Sequence, residues 1–250
     1  GARHMCRRFV ALSYDDVLEM VVRIEAGLPL TWEPDWPARS FEAFPNAGVP
    51  VVVPSSAPEG AGMPRLAVEE LTWGYPVEWR RGPVFNTRIE TALAPGRTMW
   101  SASFERGRCL VPALAFHESH ATETVPSVRT GRPVKRQYRF SLPGGEAMLL
   151  AGVQEDGHFS LVTTEPNACV AAVHDRMPLV LRADEAQAWL EGDCALLVDR
   201  SGVGLVAAAE DGQKAATGIV RDAAAEVVRG RPGPQGEGAA NGPGGQLSLF

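Results

Sequence analysis

Cys6 directly follows Met5, and that position opens a chemistry closed to Cys109, Cys169 and Cys194. If Met5 is the initiator, its removal, which small residues in the next position favour, leaves Cys6 with a free α-amine beside its thiol. Such an amine condenses with an aldehyde to an imine. The neighbouring thiol then closes a five-membered thiazolidine, because tethered groups react at a very high effective concentration. Water must leave a carbinolamine on that route, so an acid and a base are needed. Glu118 and His174 are the candidates, each expected just beyond a strand, and partial burial of Glu118 would raise its carboxyl toward neutrality. His117 and His120 flank Glu118, but they lack the i, i+4 spacing and third ligand of a helical metal pair, so neither a metal site nor a cofactor is expected.

Positioning these groups falls to an ordinary globular chain. It has 250 residues, is 45% apolar, and can bury a substantial core as one domain plus extras. The four cysteines form no CxxC pair, which excludes a zinc ribbon and gives no sign of a disulfide framework. No apolar run is long enough to span a bilayer and no secretory h-region opens the chain, so a cytoplasmic, nucleoid-associated monomer is expected. A formal charge of −6 excludes an all-over basic surface but leaves room for a local basic groove. Gly1 to His4 read as a leader outside the fold.

Ser13 and Asp16 open a stretch in which Val17, Leu18, Val21, Val22 and Ile24 recur at helical spacing, and Gly27 closes it. From Leu28 to Pro64 loops are expected around one strand at Val49 to Val53. Further strands are expected at Leu66 to Tyr75, Cys109 to Leu114, Gln137 to Leu142, Met148 to Val153 and Phe159 to Thr164. Helices are expected at Thr98 to Arg106 and at Asp184 to Glu191, the latter capped by Asp184. Asn86, ahead of a helical stretch, reads as an N-cap. Short turns between the strands favour antiparallel pairing. The order of elements implies an α+β fold with a curved, largely antiparallel sheet forming a barrel-like core with flanking helices.

Four segments carry a family signature: Met5-Cys6-Arg7-Arg8-Phe9; Trp73-Gly74-Tyr75 with Asn86 to Thr91; Arg108 to Pro112 with Phe116-His117-Glu118; and His174-Asp175-Arg176-Met177-Pro178. In this order they resemble the SRAP family, the SOS-response-associated peptidase-like proteins that crosslink to abasic sites. The likeness runs from Met5 to about Gly218. It implies a thiazolidine between Cys6 and the abasic sugar in single-stranded DNA. It implies that Asn86 orients the cysteine and the sugar, that His174 assists sugar-ring opening, and that Glu118 shuttles protons at the amine. It places Arg8 and Arg88 on phosphates and Trp79 where an aromatic blocks duplex stacking, with Arg7, Arg80, Arg81 and Arg108 extending the basic track. The chain departs from the family pattern at Arg7, Thr87 and Ser119, where Gly, Ala and an aromatic are usual.

From about Val228 the composition turns to Gly, Pro, Gln and Asn, too poor in apolar groups to offset its ordering entropy. The expected organisation is a domain over 5–222, a flexible linker over 223–245 and a docking motif over 246–250. Gln246, Leu247, Leu249 and Phe250 look like the pentapeptide by which bacterial repair proteins dock on the DNA polymerase sliding clamp. Two other functions compete with covalent capture. One is a cysteine hydrolase or autopeptidase using Cys6 with His174 as its base. The other is a noncovalent adaptor recruited by the clamp.

Overall fold

The computed structural model describes residues 5–26, 28–31, 38–56, 65–191 and 194–211. The linker over 223–245 and the docking motif over 246–250 lie outside the described residues. The first half runs β1 (Arg8–Leu12), α1 (Tyr14–Glu25), β2 (Ser40–Ala43), β3 (Gly48–Pro54), β4 (Leu66–Trp73), β5 (Asn86–Arg88), α2 (Ile89–Ala92), α3 (Ser101–Arg106) and β6 (Arg108–Pro126). The second half runs β7 (Pro133–Ser141), β8 (Met148–Glu155), β9 (His158–Thr164), α4 (Ala168–Ala171), β10 (Met177–Pro178), β11 (Val180–Leu181), α5 (Ala186–Glu191) and β12 (Val206–Glu210). No helix among the described residues is long and apolar enough to cross a membrane.

The fold is α+β, built on one large, mostly antiparallel sheet. Its strand path is β11-β8-β9-β4-β3-β6-β1-β2, and β8 also pairs with β6, so β6, β8, β9, β4 and β3 close a ring. Parallel pairing is confined to β4 and β5 against β9. Where the ring is filled inside and covered outside, as along β3, β8 and β9, strands are buried on both faces, whereas β4 leaves Glu69 and Glu70 exposed. Along β8, Met148 and Leu150 point into the inner core with Phe9, Trp73 and Phe159, while Leu149, Ala151 and Val153 join the outer core under the helices. That outer layer includes Val17, Met20, Val21 and Ile24 of α1 and Trp189 of α5.

Ser13 caps α1 as its spacing with Asp16 predicts: the Ser13 hydroxyl accepts from Asp16 N–H at 3.4 Å and donates to Asp16 Oδ2 at 2.6 Å. Leu18 and Val22, on the far side of α1, stay exposed. Several expectations need correction. β2 and β12 were not legible, being a short strand and an exposed Ala-rich one. The last helix begins with a 3-10 turn over Ala183–Glu185, so Arg182, whose N–H donates to Glu185 Oε2 at 2.9 Å, stands at its start in place of Asp184. β6 runs nineteen residues and takes in Glu118, Ser119 and His120, which were expected beyond its end.

Trp73 anchors the inner core, fully buried, its indole N–H donating to Phe85 O at 2.9 Å. Gly74 follows with φ +114°, and a Cβ there would stand 2.7 Å from Pro83 Cβ. Gly74→Ala is therefore expected to lower stability by about 1–3 kcal/mol, read by chemical denaturation. An unchanged denaturation midpoint would mean that the turn relaxes freely.

Candidate active site

β1 pairs with β6 so that Arg8 faces His117 and Phe9 faces Phe116, and this register carries the residues ahead of β1 toward Glu118. The Cys6 backbone N–H donates to Glu118 Oε1 at 2.8 Å across 112 residues of sequence. β5 lies parallel to β9, and its first residue, Asn86, sends its Nδ2 to Met5 O at 2.9 Å and to Cys6 O at 3.1 Å. Asn86 is therefore a strand residue gripping the N-terminal segment, and Arg88 occupies the N-cap position of α2. His174 follows α4, where its N–H bonds Val170 O at 2.9 Å, and not a strand as expected. Its Nε2 stands 3.9 Å from Glu118 Oε2. The four residues expected to do chemistry, Cys6, Asn86, Glu118 and His174, thus meet in one place from four parts of the chain.

Cys6, Glu118 and His174 are each at most 5% exposed, and burial governs the proton affinities of Glu118 and Cys6. Burial holds the Glu118 carboxyl well above the usual range; the bond from Cys6 N–H opposes that rise and the charge of Asp175 adds to it. Burial also pushes the Cys6 thiol up, and Glu118 pushes it further, against backbone hydrogen bonds from the Arg8 and His117 segments. The resting sulfur is consequently a thiol, and its hydrogen bond goes to Arg8 O at 3.6 Å. The imidazole Nδ1 of His174 lies 3.2 Å from both N and O of Arg176, so the tautomer accepting from Arg176 N–H directs its Nε2–H toward Glu118.

Beside this cluster opens a groove of about 850 Å³ that Arg7, Arg8, Arg80, Arg81, Arg129 and Lys135 line together with Phe44, Phe85 and Ser119. Among the described residues no carboxylate lines it, in a chain whose formal charge is −6. Arg129, in the turn between β6 and β7, and Lys135, near the start of β7, carry no local motif by which the sequence would flag them. Trp79, 70% exposed, stands on the loop that supplies Arg80 and Arg81. Arg88 is exposed two residues after Asn86.

Arg108, expected to extend the basic track, sits ten residues along β6 from Glu118, roughly 30 Å at strand rise. Its guanidinium lies over the Phe104 and Trp189 rings. Arg8 is clamped: Glu42 Oε1 takes its Nη2 at 2.6 Å and Nε at 3.0 Å, while Glu210 Oε2 takes its Nη1 at 2.9 Å. Glu210 also faces His117 Nε2 at 3.2 Å. Burial, then the positive charge of Arg8, holds the His117 imidazole down to about 4, so it is neutral at physiological pH.

Comparison with known proteins gives these features a context. The chain is 28% identical to the abasic site processing protein YedK of Escherichia coli over 194 residues, covering 74% of this chain and 79% of the relative. It is 24% identical to YoqW of Bacillus subtilis over 201 residues, covering 74% and 80%. Among solved structures, a phage-related protein of Bordetella bronchiseptica superposes with TM-score 0.57 at 20% identity over 82% of this chain and 94% of that one. A Bacteroides thetaiotaomicron protein does so at 0.52 and 17% identity, over 80% and 91%. Residues 5–205 match the family model of the SOS response associated peptidases, and the chain belongs to that family, SRAP.

Proposed function

We propose that this chain captures the aldehyde of an abasic site in single-stranded DNA as a thiazolidine on Cys6, once the residues ahead of Cys6 are removed. The observation that carries the reading is the 2.8 Å bond from the Cys6 nitrogen to the buried Glu118 carboxyl. That nitrogen is the atom that must attack, and it already lies against a proton-transfer group. The relatives named as abasic site processing proteins supply the substrate class.

The chemistry follows from the geometry. With Met5 gone, the Cys6 ammonium would face Glu118 in a water-poor site, where a neutral amine and a neutral acid are favoured over an isolated buried ion pair. Glu118 would then hold the proton and leave the amine lone pair free. A sugar carbonyl attacked by that nitrogen takes the place of the Met5 carbonyl carbon, and the oxygen of the resulting carbinolamine falls where Asn86 Nδ2 now holds Met5 O. Glu118 protonates this oxygen, water leaves, and the thiol adds to the imine. The S–C bond forms as the thiol proton moves to nitrogen, so the sum of reactants loses one water. His174 serves the earlier opening of the sugar hemiacetal.

The same contacts favour a second activity limited to the chain itself. Asn86 polarises the Met5 carbonyl, and Glu118 faces the nitrogen that would leave if the Met5–Cys6 bond were cut. That makes the autopeptidase reading a preparatory step for capture. A general thiolate hydrolase fits less well, because burial keeps the Cys6 sulfur protonated.

Gripping DNA is assigned to the basic groove, with Trp79 as stacking block and Arg88 on a phosphate. Arg8 can reach a phosphate only by giving up the carboxylates that hold it. Glu210→Gln is therefore expected to tighten binding of undamaged single strands and to steepen the salt dependence by about 0.7 in log–log slope, measured by fluorescence anisotropy. Unchanged affinity and slope would make Arg8 purely structural. The capture reading itself is tested by intact mass: protein starting at Cys6 should add an abasic oligonucleotide with loss of one water, and failure to do so would refute it.

A further inference from the structure

β6 leaves its register with β7 just after the catalytic carboxylate. Ser119 faces Gln137 and Thr124 faces Lys135, so five steps on β6 match two on β7, and three extra residues arch away. An arch of that size exposes backbone N–H groups that need partners. His120 supplies one from within: its Nδ1 accepts from Thr122 N–H at 3.2 Å and from Glu123 N–H at 2.9 Å. A side-chain acceptor closing onto the second and third residues ahead is the geometry that Asx turns use. The arch in turn touches the opposite wall of the site. Ala121 N–H donates to Val173 O at 3.0 Å, one residue before His174, and Lys135 Nζ holds Ala121 O at 2.7 Å. The far end is pinned by Glu123, which takes Arg136 at 2.7 Å and Tyr138 OH at 2.7 Å.

We infer that His120 is a positioning residue: by closing the arch in β6 it holds Ala121 against Val173 and so sets the distance between His174 and Glu118. This rests on the capture reading for its kinetic consequences, but not for its structural ones. Glu118 and His174 share no covalent neighbour, and the described backbone bond between the arch and the His174 loop is the Ala121–Val173 one. The 3.9 Å separation of their side chains thus depends on an arch whose shape His120 fixes. The ring needs only an acceptor at its δ position, so Asn, whose Oδ1 occupies the same place, is the conservative replacement and Ala the disruptive one.

Three readouts test this. In His120→Ala, the maximal rate of adduct formation should fall about tenfold while the abasic oligonucleotide concentration giving half that rate stays the same, and His120→Asn should recover most of the loss. The side-chain NMR signals of His174 should shift in His120→Ala and return in His120→Asn. Amide exchange at Ala121 should speed up in the Ala variant only. The NMR and exchange measurements read the arch whether or not any adduct forms, so failure of the capture chemistry is distinguishable from failure of this inference. Normal Ala121 protection and unshifted His174 signals in a folded His120→Ala protein would overturn it, as would an Asn variant as impaired as Ala.

Discussion

Protein beginning at Cys6 is expected to form an SDS-resistant adduct with an abasic oligonucleotide, and the same chain still carrying Met5 is expected to form none. The nitrogen that Glu118 holds is an amide while Met5 is attached, and an amide lone pair is delocalised into its carbonyl. Substitution at residue 6 separates the parts played by nitrogen and sulfur. Cys6→Ala, produced with residue 6 at the N-terminus, keeps the amine and loses the ring-closing thiol, so its imine should hydrolyse on denaturation yet be trapped by borohydride. An acetylated N-terminus should give no adduct with or without reductant. The stable product draws on an intramolecular closure whose effective concentration reaches on the order of 10⁵ M, so loss of the thiol should remove it from view. A stable adduct in Cys6→Ala without reductant would assign the chemistry to another residue.

Glu118→Gln is expected to slow adduct formation by about 10²-fold or more, the usual worth of a placed acid–base group, while making the unprocessed chain more stable. The two effects share one cause. Because burial raises the folded-state affinity of Glu118 for a proton, its contribution to stability is fully present below the ordinary carboxylate range and is lost as pH rises through the raised folded value. Gln keeps an acceptor for Cys6 N–H and never ionises. The melting temperature of Glu118→Gln should therefore match the parent near pH 4 and exceed it increasingly at higher pH. Equal melting temperatures at all pH values would show that the carboxyl ionises without cost, and the proton-transfer role would lose its physical basis. A variant that gains stability as it loses rate is the expected signature of a site that keeps an ionisable group in a water-poor setting.

Local patterns made much of this legible in advance. α1 was plain from Ser13, Asp16 and the spacing of Val17, Val21 and Ile24, since capping and amphipathicity are properties of neighbours in sequence. The ring strands were visible as short apolar runs, although burial on both faces of β8 erases the alternation that would have told an inner face from an outer one. β6 extends far past its expected end at Leu114, and the sequence hides this because His117, Glu118, Ser119 and His120 break the apolar pattern by which strands are recognised. Asn86 looked like a cap because a helix does begin nearby, at Ile89. The clamp on Arg8 was beyond reach: Glu210 lies 202 residues away, and only the pairing of β12 with β7 brings it there.

The grip of Asn86 on the carbonyls of Met5 and Cys6 also sets an order of events. Those contacts join segments eighty residues apart, so they exist only after β5 has docked on β9. If cleavage ahead of Cys6 depends on them, an immature polypeptide keeps its amine masked, and stray metabolic aldehydes find nothing to consume. Reactivity would be switched on by the completion of folding, beside a groove already lined with arginines.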